Sequence, residues 1–399
     1  MTSTIHQKEH NRGLIVGLLG ILTAFGPLSI DMYLPSLPHI AEDLNTSLGS
    51  VQFSLSAFFI GLASAQLLYG PFTDRVGRKV PLYVGMTIYF ISSLVCAFAP
   101  NIETLIIARV FQALGSSAGV VVTRAIVSDL YDHREAARIY SVLILIMGAA
   151  PILAPLLGGQ IAITLGWRYI FIILAAISLI CLIGIIFLLT ETHVKPDHPN
   201  RKILRTYRNI LTHRKFLRNT FAGGIVQSGL FAYVTGSSYV FIELFDVPPE
   251  HFGYVFGTNA FGLILFSQIN GRILKSRNPD QVLKVVFPAV AIIGLIVIIA
   301  GFLATELYQI WIPIFFFMSC LGMTFPNTTA EALSEERANS GSASALMGTI
   351  QYGLGASISA VMSLFHTDSA LPMALVMGAT AFIGASVYFF GKKPILNPR

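Results

Sequence analysis

Between Gly13 and Phe390 the chain repeats one pattern: an apolar run, a short polar break, then another apolar run. Twelve of these runs reach about 20 residues, the length at which a helix rising about 1.5 Å per residue crosses a hydrocarbon layer. They fall at 13–34, 50–70, 81–99, 103–127, 137–163 and 167–190, then at 219–245, 252–271, 283–303, 309–331, 341–364 and 370–390. The breaks carry turn-forming residues, among them Pro100-Asn101, Gly166, Pro248-Pro249 and Asn278-Pro279. One break is different. Residues 191–218 form a polar, basic linker that separates six spans at 1–190 from six at 219–399. Within it Ile203, Leu204, Ile210, Leu211 and Leu217 recur at helical spacing, which predicts a short amphipathic helix on the membrane surface. The pattern predicts an all-α membrane protein, with twelve transmembrane helices in two pseudo-symmetric six-helix bundles.

Composition agrees: 54% of the 399 residues are hydrophobic and only 12% charged, against about 25% in soluble domains. Too little polar surface exists to enclose a core of this size in water. The excess of 26 Lys and Arg over 20 Asp and Glu suggests nucleic acid only until the charges are placed. With the N-terminal tail on the cytoplasmic side, the basic residues fall on inner loops, on the linker and on both tails. Arg168 alone falls outside, and Arg109 alone lies well within a span. This is the positive-inside pattern, so the basic balance reports topology and excludes a nucleic-acid partner. It predicts a multi-pass protein of a cytoplasmic membrane with both termini inside. The first run is too long for a signal peptide and lacks a small-residue cleavage site, so it is expected to remain as a span. Cys96, Cys181 and Cys320 sit in apolar runs without metal-ligand spacing and read as buried small hydrophobes.

Between the second and third runs stands GPFTDRVGRKVPL, Gly70 to Leu82. Gly70-Pro71 and Gly77 permit tight turns, Asp74 and Arg78 can pair across a helical turn, and Pro81 suits the first turn of the next helix. This loop resembles the signature of the major facilitator superfamily, a glycine followed by Asp-Arg-x-Gly-Arg-Lys, and the twelve-span layout extends the resemblance over the chain. In that family the loop latches the cytoplasmic ends of the two halves when the cavity opens outward. By resemblance Gly70, Asp74, Arg75, Gly77 and Arg78 take that role. The second-half loop NGRILKSRNPDQ has no matching Asp-Arg, so the latch is expected to be asymmetric.

Three further stretches narrow the resemblance. LIIARVFQALGSSAG, Leu105 to Gly119, is similar to the superfamily's Leu-x-x-x-Arg-x-x-Gln-Gly motif, with Ala113 in place of the last glycine. Arg109 is a permanent cation, which inside an apolar run must snorkel, pair or face water; Gln112 shares its face. In the family this arginine tunes proton release from nearby carboxyls. MGAAPILAPLLGGQI, Met147 to Ile161, resembles the Gly-Pro-x-x-Gly-Gly signature of drug:proton antiporters, carried here by Gly148, Pro151, Pro155, Gly158 and Gly159, with Ala154 replacing a glycine. SIDMYLPSLP, residues 29–38, matches the Asp-x-Tyr-Leu-Pro-x-Leu-Pro of the bicyclomycin-resistance (Bcr/CflA) branch at Asp31, Tyr33, Leu34, Pro35, Leu37 and Pro38. In the seventh span, Phe231, Tyr233 and Tyr239 stand near Gly229 and Gly236, where they line a cavity or face lipid.

The resemblance implies export of small organic molecules across a bacterial inner membrane, driven by proton entry, with no cofactor, no metal and no catalytic constellation. Asp31 is expected to carry the proton with Arg109 as its electrostatic partner, and Tyr33, Gln112, Phe231, Tyr233 and Tyr239 to line the substrate cavity. The protein is expected to act as a monomer, with protons, a small organic substrate and the bilayer as its partners. Export of one dedicated metabolite, such as a siderophore or amino-acid derivative, is the alternative within transport. Nutrient uptake by symport disagrees with the fifth-span signature, and a receptor or scaffold needs neither an intramembrane charge nor a latch. The depth of Asp31 stays open. A first helix ending at Leu34 puts it about 5 Å inside the boundary, whereas one continuing to Ile40 puts it roughly 13 Å inside.

Overall fold

A computed structural model describes residues 2–130, 133–191, 203–336, 340–365 and 369–391, with most of their side chains. Among them there is no strand, and twelve segments are long and apolar enough to cross a membrane, one for each predicted run. The first six are built from α1 (Thr2–Asp31) continued by α2 (Leu37–Asp43), then α3 (Leu48–Val76), α4 (Lys79–Ala97), α5 (Ile102–Leu130), α6 (His133–Thr164) and α7 (Arg168–Leu188). A short helix α8 (Ile203–Ile210) precedes α9 (Arg214–Ser238), α10 (Pro249–Ile273), α11 (Pro279–Leu303), α12 (Leu307–Leu333), α13 (Ser340–Ser363) and α14 (Leu371–Phe390). The expected cap at Asn101 forms, its Oδ1 accepting from Thr104 N–H at 2.9 Å. Cys96, Cys181 and Cys320 are all buried and free.

The first span is longer than the shorter of the two expectations. Proline has no N–H, so the carbonyls of Asp31 and Leu34 lose the helical donors they would receive from Pro35 and Pro38. The helix tightens instead of ending: Tyr33 N–H bonds Ile30 O at 3.2 Å, and a 3-10 turn at Leu34–Ser36 leads into α2. The span therefore runs from Gly13 to Asp43. Asp43 meets the start of α7, accepting from Trp167 Nε1 at 3.1 Å and pairing with Arg168. The one cation predicted on the outer side is thus neutralised by a carboxylate.

The chain divides into two compact units, Met1–Arg201 with Pro248–Gly257, and Lys202–Val247 with Thr258–Arg399. Glycines allow close helix approach in each. In the first, a Cβ on Gly158 of α6 would overlap the Met32 carbonyl, and one on Gly159 would lie 2.6 Å from Pro249 O. Gly253, at the start of α10, is covered by Leu156. In the second, Gly322 of α12 lies against Leu263 of α10, and Gly229 of α9 against Phe317 and Thr380.

The linker helix forms at Ile203–Ile210, but protein rather than lipid covers its described apolar face. Ile210 joins Phe216, Ala332, Ala343, Leu346 and Met347, with Tyr207 and Leu217 packed around them. Leu211 of the predicted apolar face stays exposed, and the side chains of Ile203 and Leu204 lie outside the described residues. The seventh helix also begins earlier than predicted, at Arg214.

Gly158→Ala should lower the stability of the detergent-solubilised protein by about 1–3 kcal/mol, the usual cost of overpacking. Gly17→Ala, where a Cβ meets nothing within 4 Å, should be neutral or slightly stabilising. Thermal unfolding of the two variants checks the contrast.

Candidate functional site

Arg109 is fully buried within the first unit, 0% exposed. Its guanidinium carbon lies 4.3 Å from the ring centre of Phe58, 4.8 Å from that of Tyr33 and 5.8 Å from that of Phe171. Nη1 donates to Gln112 Oε1 at 2.7 Å and to the Ser29 carbonyl at 2.9 Å. That carbonyl is available because its helical donor, Tyr33 N–H, has turned to Ile30 O. Arg109 thus caps the broken end of α1, and a cation there also suits the negative end of the helix dipole. The partners are held in turn. Tyr33 OH meets Ser54 Oγ at 2.9 Å, Gln112 Nε2 donates to Ser93 Oγ at 2.9 Å, and Ser29 Oγ meets Tyr89 OH at 2.6 Å.

Asp31 is 5% exposed. It stands two residues from Ser29, and so at nearly the height of Arg109. No ion pair or hydrogen bond joins Asp31 to Arg109, whose bonds go to the Ser29 carbonyl and Gln112. Arg109, the expected electrostatic partner, bonds the backbone of α1 rather than the carboxylate. Among the described residues no side chain pairs with Asp31. It lies twelve residues before Asp43, roughly 18 Å along the helical path at about 1.5 Å per residue.

The expected cavity residues separate. Tyr33 and Gln112 are enclosed in the first unit, where their polar atoms hold Arg109, so neither lines an open space within that unit. In the second, Tyr233 OH accepts from Asn259 at 2.9 Å and its ring meets Phe241 edge-on. Phe231 packs edge-on against Tyr352 and over Gly355. Both rings are internal packing rather than lipid-facing. Tyr239, half-buried, opens a π-helical turn at Tyr239–Leu244.

At the loop, the side chains of Gly70, Asp74 and Arg75 lie outside the described residues. Gly77 ends α3 with φ +96°, and Arg78 Nε donates to Asp129 Oδ2 of α5 at 2.8 Å. A residue that the sequence reading passed over completes the arrangement. Glu191, three residues beyond α7, accepts from the N–H groups of Arg78 at 2.9 Å and Lys79 at 3.1 Å. Its carboxylate caps α4, and a Cβ on Gly77 would lie 2.7 Å from Oε2. No spacing linked Glu191 to a loop more than a hundred residues earlier. The second unit makes the corresponding tie differently: Tyr388 OH of α14 donates to Asp280 Oδ1 of α11 at 2.7 Å, and Gln281 Oε1 accepts from Asn278 N–H.

This helical plan and these motifs have counterparts. The profile of the Major Facilitator Superfamily matches residues 19–360. The chain belongs to the major facilitator superfamily. It is a transporter and not an enzyme. The transporter is 36% identical over 94% of its length to YdgK of Bacillus subtilis, an uncharacterized MFS-type transporter, of which it spans 94%. It is 30% identical to the bicyclomycin resistance protein homolog of Haemophilus influenzae, over 96% of this chain and 97% of that one. It is 28% identical to multidrug resistance protein D of Escherichia coli, over 89% and 90%. Among solved structures, a D-xylose-proton symporter shares the fold with a TM-score of 0.76 at 14% identity, over 96% of this chain and 99% of that one.

Glu191→Ala should remove the cap on α4 and cost about 0.5–2 kcal/mol, within the range for N-cap losses. Glu191→Gln, which keeps an acceptor, should lose less. Thermal unfolding of both variants in one detergent tests this, and equal losses would exclude the capping role.

Proposed function

We propose that this transporter exports small organic molecules across a bacterial inner membrane in exchange for entering protons, with both termini cytoplasmic and the monomer as working unit. The observation that carries the reading is Asp31: an intramembrane carboxylate, 5% exposed, with no basic partner among the described residues. An ionisable group in such a place is expensive unless it serves transport. Full-length similarity to a bicyclomycin resistance protein homolog and to a multidrug resistance protein supports export, as does the Pro151, Pro155, Gly158, Gly159 signature on α6.

In this reading Asp31 binds a proton from outside, and the neutral carboxyl allows the protein to turn inward. The proton then leaves to the cytoplasm, and an incoming organic substrate engages the ionised carboxylate. Arg109 contributes by holding the Ser29 carbonyl, which keeps the break in α1 where Asp31 is presented. Gly77, Arg78 and Glu191 would hold the inner end of the first bundle, with Asp74 and Arg75 completing the latch.

Asp31→Asn should abolish coupled export while leaving the amount of folded protein in the membrane unchanged. Proteoliposomes loaded with a pH-sensitive dye and challenged with a panel of amphipathic organic compounds provide the measurement. Proton movement opposite to substrate is expected for wild type and none for the variant. Wild-type transport by Asp31→Asn would sink the assignment, and proton movement alongside substrate would replace exchange with symport.

A further inference from the structure

The end of the second unit where α9 begins and α14 finishes carries two arginines that the export reading does not use. Arg214 opens α9 and Arg218 follows one helical turn later, so their side chains share a face. That face meets the last turn of α14. Arg214 Nε donates to the Gly391 carbonyl at 3.2 Å, and the guanidinium carbon of Arg218 lies 5.3 Å from the ring centre of Tyr388. The stem of Arg218 packs on Gly391, where an added Cβ would lie 2.8 Å from its Cγ. Packing therefore positions Arg218, and its Nε is buried without a hydrogen bond among the described residues.

The carboxylates at this end are engaged elsewhere. Asp280, which accepts from Tyr388 OH, lies 2.9 Å from Lys284 Nζ. Lys215 Nζ lies 3.1 Å from Glu331 Oε2 and 3.8 Å from Glu335 Oε1, and Glu336 bonds His213. Among the described residues no carboxylate pairs with Arg214 or Arg218. Two guanidiniums one turn apart without a counter-ion repel each other, and an anion that reaches both removes that cost.

The level of the pair in the bilayer identifies the anion. The span of α9 starts at Arg214 and that of α14 ends at Phe390, so both arginines stand where the apolar layer gives way to headgroups. Phe221, three residues beyond Arg218, is 38% exposed, and Phe390, next to Gly391, is 86% exposed. In a chain that spans the membrane, such rings face acyl chains.

We propose that Arg214 and Arg218 bind the phosphate of an anionic phospholipid, whose chains lie over Phe221 and Phe390 and join the start of α9 to the end of α14. The planar guanidinium fork matches phosphate oxygens. A zwitterionic lipid offers the same phosphate but brings a cation of its own, which the arginines repel. The site rests on the membrane placement of the chain, not on the direction of transport or on which face is cytoplasmic.

Phosphatidylglycerol titrated into the full-length protein in detergent, with bound lipid counted by native mass spectrometry, tests this. It should bind more tightly than phosphatidylcholine. Arg214→Gln should weaken it about fivefold, and Arg214→Gln with Arg218→Gln about 25-fold, as expected for two basic residues at a membrane surface. Arg272→Gln with Arg277→Gln removes as much charge from the exposed α10–α11 loop and should change binding by less than about twofold. Equal losses in the two double variants overturn the proposal, because they would reflect net charge without a site. Phosphatidylcholine binding as tightly as phosphatidylglycerol overturns it too, as does displacement of the lipid by millimolar inorganic phosphate, which would make this a site for a free anion. If the Arg218 variant is not recovered folded, Arg214→Gln decides alone: unchanged affinity overturns the proposal.

Discussion

A guanidinium cannot be left bare in a hydrocarbon interior, and much of the first bundle is organised around that constraint. An arginine at the centre of a span costs about 2.5–3.5 kcal/mol even on insertion scales that allow relaxation. A desolvated cation–π contact returns up to about 2 kcal/mol and a hydrogen bond to a charged group about 1.5–3, so one partner leaves little margin and several are needed. Arg109 finds them on four helices. Phe58 comes from α3, Phe171 from α7, Tyr33 and a carbonyl from the first span, and Gln112 from its own helix, steadied by Ser93 of α4. The prolines after Tyr33 matter because they tighten the helix and release the Ser29 carbonyl that the arginine takes.

The same break determines how Asp31 is presented. A continuous α-helix would bond Ser29 O internally, and Arg109 would need another acceptor, with the carboxylate two residues away as the obvious candidate. Because the backbone supplies that acceptor, the arginine takes no carboxylate, and among the described residues Asp31 stays unpaired. The close approach of α6 at Gly158 to the Met32 carbonyl secures the turn from a third direction. The glycine-containing stretch of α6 thus packs on the carbonyl of the residue next to Asp31. This gives a physical reason for small residues in that stretch of α6.

Charged ends are handled differently in the two units. The first closes the end of α7 over the start of α4 with a carboxylate, Glu191, on free backbone N–H groups. The second closes α14 over α11 with a phenol, Tyr388, on Asp280. Asp280 also pairs with Lys284 of its own helix, at 2.9 Å. The linker helix α8 belongs by its packing to the second unit, with Ile210 and Phe216 sharing one apolar cluster.

Span number, span type and the special character of Asp31, Arg109 and the Gly77 loop were legible along the chain, because each depends on local quantities. Run length against bilayer thickness, proline's missing N–H and the price of an intramembrane charge all act within one or two helical turns. What surrounds each of those residues was not legible. Whether Arg109 would meet a carboxylate or a carbonyl depended on the tightened turn at Tyr33 that frees the Ser29 carbonyl, and Tyr33 and Gln112 were read as cavity residues because nothing local showed that they enclose the arginine. Glu191 carried no signal of its role, since its partner Arg78 lies over a hundred positions away. The one-dimensional pattern determines which residues cannot remain in lipid unaided; packing among distant helices decides which partner each obtains, because contacts at that separation leave no periodic trace in the chain.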